Sequence, residues 1–534
     1  MRARRATMWL AGGAVAALTL AACGGSDSGS GGESGGTEGS TVTINGGEPQ
    51  NTLIPTNTNE TGGGNVIDNV FTGLVTYDPK DASPQNAVAK EIKSSDQITW
   101  NITLNEGWTF HDGTPVTADS FINAWTYGAN GKNAQLNQYF FEPIDGYEEI
   151  SGEAPTTDKL AGLQKVNDYE FNVVLSKPNS QFPVMLGYTA FSPLPESFFA
   201  DPAAFGENPV GNGPFKFVSW EKNSAINLTR YDDYAGEKPK VQNATFKIYQ
   251  SLDAAYADLV ANNLDVLDTI PSSALAGQAF RADLGDRVTE QAAGVIQTIT
   301  FPLYDQRFTN ADVRAAFSMA IDRAQIITNV FEGSREAATG WVSPVVDSYK
   351  ADACGANCEF NAEQAKAKLA AGGGFTGPVT IAYNSDGDHK SWVDATCVSI
   401  KNTLGVECTG KPYVDFATFR ADVTDKKMDG MFRTGWQMDY PSIENFLVPL
   451  YKTGASANDG GYTNPQFDTL MDEGAAAAGE EGIKKFQEGE AILAQDMPVI
   501  PLWYGKVVAG YSENVKSVQF TPFSRVDLTT IEMN

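Results

Sequence analysis

Histidine is nearly absent from this chain, which has only His111 and His389 among its 534 residues. No GxSxG nucleophile elbow is recognised, because the match over 32–36 lies in a stretch of glycine and serine, and the HExxH and P-loop motifs are absent. A hydrolase needs a nucleophile with its base, a pair of catalytic carboxylates or an activating metal. Two isolated histidines leave little for a catalytic triad or a zinc site. We therefore predict a protein that is not an enzyme, with no catalytic residues, no metal site and no cofactor.

Basic residues are also scarce. The chain has 38 lysines and arginines against 66 aspartates and glutamates, which gives a formal net charge of −28. Charge of this sign repels nucleic acid and anionic membrane surfaces and favours solubility. No apolar run in the body of the chain approaches the length of a membrane span. We expect a soluble, monomeric body without a nucleic-acid partner.

The first forty residues have the layout of an export signal followed by a tether. Arginines precede an apolar run over 8–20, and small residues at 21 and 22 precede Cys23. The run is short for a transmembrane anchor, which is the alternative. The segment 1–22 resembles a lipoprotein signal peptide, which makes Cys23 the lipidation site. Glycine and serine dominate 23–40 and predict a flexible tether. We expect an exported protein, lipid-anchored to the outer face of the cell membrane.

Four cysteines remain besides Cys23, and an even number in an exported chain indicates disulfides. Cys354 and Cys358 fall in a loop and could close on each other. Cys397 lies on a predicted helix and Cys408 on the strand-like segment that follows, so a link between them is geometrically reasonable. A zinc site is the alternative, but the CxxxC spacing and the lack of histidine speak against it. The sequence alone does not fix the pairing.

Strand-like and helical patterns alternate along the chain, which predicts a mixed α/β protein. Alternating apolar residues over 41–44 and 99–104 predict strands. Asn310 is a candidate N-cap for a helix with apolar residues at helical spacing. Further helices are predicted over 361–369 and over 391–404. The body from 41 to 534 is too long for one core, so we expect two or three domains.

The segment Phe-His-Asp-Gly-Thr-Pro-Val-Thr-Ala-Asp over 110–119 resembles a block of the extracellular solute-binding proteins that serve peptide and nickel ABC importers. Physically it is a turn that leads into a helix capped by Thr117, with His111 as a turn residue. The chain also resembles four further blocks of the same family, in the same order, over 70–79, 208–220, 307–323 and 433–441. One block alone is weak evidence, but five ordered blocks are specific.

The resemblance implies an α/β fold of the periplasmic-binding-protein type II, a class C flytrap with an extra domain. Lobe I would comprise 41–75, 208–295 and 504–534. The extra domain II would occupy 76–207, and lobe III would occupy 296–503. Lobes I and III would close around the ligand about a hinge.

The stretch over 431–440 is predicted to be a short strand with a glycine at its centre, where another backbone can approach. A buried peptide needs partners for its ammonium group, its carboxylate and its amides, and a strand edge can pair with the amides. The resemblance assigns the ammonium to Asp439 and the carboxylate of short peptides to Arg433. The alternatives are a turn cap for Asp439 and a structural ion pair for Arg433.

His389 lies in a loop that resembles the one whose histidine meets the carboxylate of longer peptides in this family. The alternative is a solvated loop histidine. The segment 62–64 is all glycine, which leaves few side chains to recognise a ligand at that end. The remaining predicted ligand contacts are backbone groups of Thr61, Gly435 and Gln437 and the rings of Tyr139 and Trp436.

These residues together predict a lipoprotein that binds short peptides in an interdomain cleft and delivers them to the membrane permease subunits of an ABC importer. The alternative within the same family is a nickel chelate, an opine or an oligosaccharide. An aspartate at position 439 favours a ligand that carries an amine.

Overall fold

A computed structural model describes residues 39–385 and 387–534. The predicted signal peptide, the lipidation site Cys23 and the tether up to residue 38 lie outside this range. Among the helices of the described residues, none has the length and the apolar character that a bilayer crossing requires.

The strands are numbered in chain order. They are β1 (Thr41–Gly46), β2 (Val75–Tyr77), β3 (Pro84–Asn86), β4 (Ala89–Lys93), β5 (Thr99–Leu104), β6 (Leu163–Asn167), β7 (Glu170–Val174), β8 (Phe215–Glu221), β9 (Ala225–Arg230), β10 (Asn243–Ile248), β11 (Val266–Leu267), β12 (Val288–Thr300), β13 (Glu336–Ala337), β14 (Val379–Asn384), β15 (Cys408–Tyr413), β16 (Met431–Gln437), β17 (Val499–Tyr511), β18 (Val515–Phe520) and β19 (Val526–Met533).

The helices are numbered in the same way. They are α1 (Thr61–Val70), α2 (Ala118–Ala129), α3 (Tyr147–Ser151), α4 (Phe182–Met185), α5 (Pro202–Glu207), α6 (Leu252–Val260), α7 (Ser272–Leu275), α8 (Ala279–Leu284), α9 (Ala311–Met319), α10 (Arg323–Phe331), α11 (Ala362–Ala371), α12 (Lys390–Leu404), α13 (Phe416–Thr424), α14 (Ile443–Tyr451), α15 (Pro465–Ala476) and α16 (Gly479–Asp496).

One large mixed sheet runs through the molecule in the order β15-β14-β16-β12-β17-β11-β1-β10-β9-β8, with β13 paired to β17. The long strands β12 and β17 pair with each other and join the two ends of this sheet. Their register shifts between Ala292 and Ile296. The predicted lobe boundaries at 295/296 and 503/504 fall inside these two strands.

A separate antiparallel sheet, β4-β5-β7-β6, lies within the predicted domain II. Its core contains aromatic rings from α2 and β7, with Phe121 and Phe171 stacked at 6.0 Å. The segment 110–119 leads into α2 as predicted, because Thr117 and Ser120 form a capping box at the start of this helix.

The three helices predicted from sequence are confirmed. Asn310 accepts a hydrogen bond from the backbone of Asp312 and caps α9. Asn361 caps α11 in the same way, and α12 ends at Gly405, whose φ of 70° is a left-handed conformation that suits glycine.

Two disulfides join neighbouring parts of the chain. Cys354 bonds to Cys358, with the Cα atoms 5.7 Å apart. Cys397 on α12 bonds to Cys408 at the start of β15, with the Cα atoms 4.8 Å apart. Both pairs match those that the sequence made geometrically reasonable.

Candidate functional site

Strand β16 has one edge that is open along most of its length. Residues 432–437 pair with β12, but β14 pairs with β16 only at Met431 and Phe432. On the side away from β12, no strand of the described chain therefore pairs with 434–437. Gly435 is exposed there, and a Cβ at this position would lie 3.0 Å from the backbone oxygen of Ile296. This edge can accept a further extended chain by main-chain hydrogen bonding.

Asp439 lies two residues beyond the end of β16, and Asn445 on α14 fixes its position. The amide Nδ2 of Asn445 donates to Asp439 Oδ2 at 3.0 Å. The Asn445 Oδ1 atom accepts from the backbone N–H of Asp439 at 2.9 Å and from Trp436 Nε1 at 3.0 Å. Asp439 Oδ1 accepts no hydrogen bond from the residues that the structure describes, so that oxygen can take a donor from a ligand.

The environment of Asp439 disfavours its charge in the absence of a cation. Burial raises the pKa of this carboxyl to about 6, against the opposing effect of the hydrogen bond from Asn445. A positive group placed beside Asp439 would restore the ionised form. The site therefore has a chemical preference for a cation.

Three tyrosines of the predicted domain II lie near Asp439. Burial, and after it the negative charge of Asp439, raises the pKa of the phenols of Tyr77, Tyr139 and Tyr188. Phe140 stacks between two of them, with ring centroids 4.4 Å from Tyr139 and 4.1 Å from Tyr188. Aromatic rings beside a carboxylate suit an ammonium group, because both attract positive charge.

Arg433 lies on β16 toward the other end of the open edge. Its Nε atom donates to Asn384 Oδ1 at 2.8 Å. The guanidinium lies over two rings of α13, at 5.0 Å from the centroid of Phe416 and 5.4 Å from that of Phe419. Hydrogen bonding and ring contacts together hold the positive charge of Arg433 in place.

His389 lies close to the same end of β16. It precedes α12, and its Nδ1 accepts from Trp392 Nε1 at 3.2 Å. A Cβ at Gly387 would meet His389 Nε2 at 2.6 Å and Asn384 Nδ2 at 3.0 Å. The two predicted carboxylate partners, Arg433 and His389, thus both lie near Asn384.

A cavity of about 260 Å³ opens beside β16, and three predicted contacts, Arg433, Gly435 and Trp436, line it. Its other walls come from β12, α13, α14 and the segment 457–462. Arg420 of α13 forms a bidentate ion pair with Asp459 in this wall, with N–O distances of 2.6 and 3.0 Å. These wall residues were not predicted, because nothing local in the sequence marks them.

The other predicted contacts, Gln437, Tyr139 and Thr61, are not among the residues that line this cavity. The side chain of Gln437 donates from Nε2 to the backbone oxygen of Phe523 at 2.9 Å. The ring of Tyr139 is 46% exposed. Thr61 is the exposed first residue of α1. Asp68 of the same helix forms an ion pair with Arg525, and the charges of this pair, like that of Asp439, act on the phenol of Tyr188.

His111 is a turn residue, as the sequence suggested. Its Nδ1 accepts from the backbone N–H of Gly211 at 3.2 Å, and its Nε2 lies 3.1 Å from the oxygen of Gly213. Burial lowers the pKa of this imidazole to about 4. His111 is therefore neutral and joins the turn to a neighbouring loop. Over 39–385 and 387–534, no group of three or more His, Cys, Asp or Glu side chains has the arrangement of a metal site.

Comparison with known proteins identifies the group to which this architecture belongs. The model of the bacterial extracellular solute-binding proteins, family 5 Middle, matches residues 83–458. The oligopeptide-binding protein OppA of Bacillus subtilis is 26% identical over 528 residues, with 94% of each chain covered.

Two solved structures share the fold. The murein tripeptide binding protein MppA of Escherichia coli has a TM-score of 0.77 at 22% identity, over 93% of this chain and 99% of that one. The OppA of Haemophilus influenzae, in complex with RPPGFSPFR, has a TM-score of 0.75 at 22% identity, over 93% and 99%. The predicted fold class is confirmed. The chain belongs to the bacterial extracellular solute-binding proteins of family 5, which are binding proteins of transport systems and not enzymes.

Proposed function

We propose that this protein binds short peptides in an extended conformation along the open edge of β16 and delivers them to the permease of an ABC importer. The observation that carries the proposal is Asp439: an oriented, partly buried carboxylate stands at one end of an edge that can pair with a peptide backbone. The relatives named as peptide-binding proteins support the same cargo.

The peptide's amino end is assigned to Asp439. Asn445 donates to Oδ2 of this carboxylate, and Oδ1 is assigned to the ammonium of the ligand. An α-ammonium carries three donors and a positive charge, so it suits both the carboxylate and the rings of Tyr139 and Tyr188. Neutral ligands such as an oligosaccharide lack that charge and gain less from this site.

The peptide backbone is assigned to the edge of β16 over 434–437. Gly435 and Gln437 offer backbone groups there, and the exposed glycine lets the guest chain come close. Main-chain pairing satisfies the amides of any peptide, whatever its sequence. Affinity from this source therefore does not depend on side chains.

The peptide's carboxylate is assigned to Arg433, or to His389 when the peptide is longer. Arg433 is held by Asn384 and by the rings of α13, so little side-chain freedom is lost when an anion binds. His389 lies near the same asparagine. Ligand length would then follow from which of the two cations is used.

The predicted lobes are proposed to close over the bound peptide. Asp439 lies in the predicted lobe III, whereas Tyr139 and Tyr188 lie in domain II and Phe523 lies in lobe I. A ligand that contacts all of them has differential affinity for a closed arrangement, which is the condition for driving closure. The lipid anchor at Cys23 and the tether would keep this monomeric receptor at the outer face of the membrane.

Calorimetry with three ligands tests the cargo: trialanine, its N-acetyl form and its C-terminal amide. We expect trialanine to bind with 1:1 stoichiometry and without turnover, and each blocked end to weaken binding. Asp439→Asn should abolish the difference between free and acetylated peptide, whereas the surface control Asp425→Asn should retain it. Native mass spectrometry of the purified protein that shows a homogeneous sugar or metal chelate would overturn the peptide assignment.

A further inference from the structure

The cavity beside β16 is large enough for a whole side chain of the ligand. Its volume is about 260 Å³, and an apolar cavity of about 150 Å³ is sufficient to hold benzene. Gly435 and Trp436 belong both to its wall and to the open strand edge. Side chains of an extended peptide point alternately to opposite faces, so a peptide on this edge would direct one side chain towards the cavity.

The charged groups in the cavity wall largely neutralise one another. Arg420 and Asp459 form their bidentate pair within the protein, and the Asp459 side chain is only 11% exposed. Arg433 adds one positive charge, spread over the faces of Phe416 and Phe419. A basic ligand side chain would find Asp459, the carboxylate in this wall, already paired with Arg420 and would not be favoured.

The threonine hydroxyls in the wall bond within the protein. Thr434 Oγ1 lies 2.7 Å from Thr298 Oγ1 and 2.6 Å from Thr300 Oγ1. Part of the hydrogen-bonding capacity of these three residues is therefore used before a ligand binds. The larger part of the accessible wall is apolar, and aromatic rings contribute to it.

Aromatic rings form both the inner wall and the rim of the cavity. Tyr451 and Tyr462 are buried in its wall. Phe416 lines the cavity and is nevertheless 46% exposed. An exposed ring at the rim of a cavity whose surface is mostly apolar gains by being covered.

From these features we propose that the cavity receives an aromatic side chain of the bound peptide, and that the protein therefore prefers peptides with phenylalanine, tyrosine or tryptophan at one fixed position. The proposal rests on the peptide-binding function argued above. A planar ring can fill the volume, pack edge-to-face against the wall rings and lie against the guanidinium of Arg433. Alanine would leave the cavity empty, and lysine would find the carboxylate of Asp459 already paired with Arg420.

A positional series of tetrapeptides tests the proposal by calorimetry. The ligands are AAAA, FAAA, AFAA, AAFA and AAAF. We expect AAAA to bind and one position of phenylalanine to bind about tenfold tighter or more, as burial of a ring predicts. Lysine at that position should give no gain, and tyrosine should behave like phenylalanine.

Two variants in one loop locate the effect. Ala457 lines the cavity, whereas Ala455 does not. Ala457→Trp should fill the cavity and remove the gain from phenylalanine while AAAA binding persists, and Ala455→Trp should retain the gain. A fluorine-labelled phenylalanine at the preferred position gives a readout without any variant, because ring currents of Phe416 and Phe419 should shift its NMR signal when bound.

The outcomes separate the two proposals. If AAAA binds but no position of phenylalanine improves affinity, or if Ala457→Trp keeps the gain, the cavity proposal is wrong and the peptide-binding proposal stands. If neither AAAA nor any phenylalanine peptide binds, both are wrong. An unshifted fluorine signal in the tightest complex also contradicts the cavity proposal.

Discussion

Asn445 holds Asp439 at two points, because its Oδ1 accepts from the backbone N–H of Asp439 and its Nδ2 donates to the carboxylate. The same Oδ1 accepts from Trp436 Nε1. One amide on α14 thus orients the proposed ammonium partner and fixes an aromatic wall of the cavity. The first prediction concerns this residue.

Asn445→Ala should weaken both the fold and ligand binding. Asn445 is only 2% exposed, so its removal leaves buried donors on Asp439 and Trp436 without their acceptor. We expect a loss of about 1–3 kcal/mol in unfolding free energy, together with weaker trialanine binding, measured by urea denaturation and calorimetry. Asn208→Ala, at the exposed end of α5, is the control. Unchanged peptide affinity in Asn445→Ala would contradict the orienting role of this amide.

Binding should depend on pH through Asp439. Its pKa of about 6 in the ligand-free protein lies above the ordinary value of 3.8, because burial disfavours the charge. The ionised form binds the ammonium, so affinity should fall as pH drops through 6, approaching about tenfold per pH unit. Because the folded-state pKa is raised, this group also lowers the stability of the ligand-free protein as pH rises from about 4 to 6, and a bound cation reverses that loss.

Calorimetry from pH 4.5 to 7.5 measures this dependence. The upper limit keeps the peptide's own amino group, with an ordinary pKa near 8, mostly protonated. Asp439→Asn should bind weakly and should lose the step near pH 6. A step of the same size in the variant would assign the titration to another group.

Substitution at Gly435 should disturb the strand edge. A Cβ at this position would lie 3.0 Å from Ile296 O, which is backbone and cannot move away freely. We expect Gly435→Ala to cost about 1 kcal/mol and to weaken all peptides alike, with Gly435→Val more severe. Gly152→Ala is the matched control, because a Cβ at Gly152 meets nothing within 4 Å and its φ of −72° suits alanine. Equal effects at the two positions would argue against a close approach at Gly435.

The two disulfides should contribute unequally to stability. Cys397 and Cys408 are 11 residues apart, whereas Cys354 and Cys358 are 4 apart. The longer loop restricts the unfolded chain more, by about 1 kcal/mol in the loop-entropy account. Replacing Cys397 and Cys408 together by alanine should therefore lower the thermal midpoint more than the same change at Cys354 and Cys358. The reverse order, measured by calorimetric scanning, would show that native contacts outweigh loop length.

Local signals in the sequence were sufficient for many elements. Asn310 and Asn361 marked helix starts correctly, and Gly405 marked a helix end, because caps act within a few residues. A link between Cys397 and Cys408 was geometrically reasonable because a helix and a strand adjacent in the chain carry them, and the structure contains this disulfide. In such cases the interacting groups lie close in sequence, and residue type alone carries the information.

The surroundings of the site could not be predicted, because they depend on distant contacts. Tyr77 and Tyr188 approach Asp439 although about 360 and 250 residues of the chain separate them from it. The ion pair of Arg420 with Asp459 joins α13 to a loop 39 residues later. The open edge of β16 results from where β14 stops pairing, which no pattern within β16 indicates. These features arise from the packing of the chain as a whole.

The assignment of the carboxylate end can be decided by a thermodynamic cycle between Arg433 and the ligand. Trialanine and trialanine amide differ in one negative charge, and Arg433→Gln removes the proposed partner while keeping a polar side chain of similar length. If Arg433 binds the carboxylate, the amide should lose affinity in the parent protein, and the loss should shrink in the variant. The coupling expected for such a charge pair is about 2–5 kcal/mol when it is shielded from water. His389→Gln supplies the matched comparison, because His389 also lies near Asn384. We expect its coupling to be small with trialanine and to grow with tetra- and pentaalanine, as the carboxylate moves from one cation to the other. A coupling that stays with Arg433 at every length would leave His389 without a ligand role.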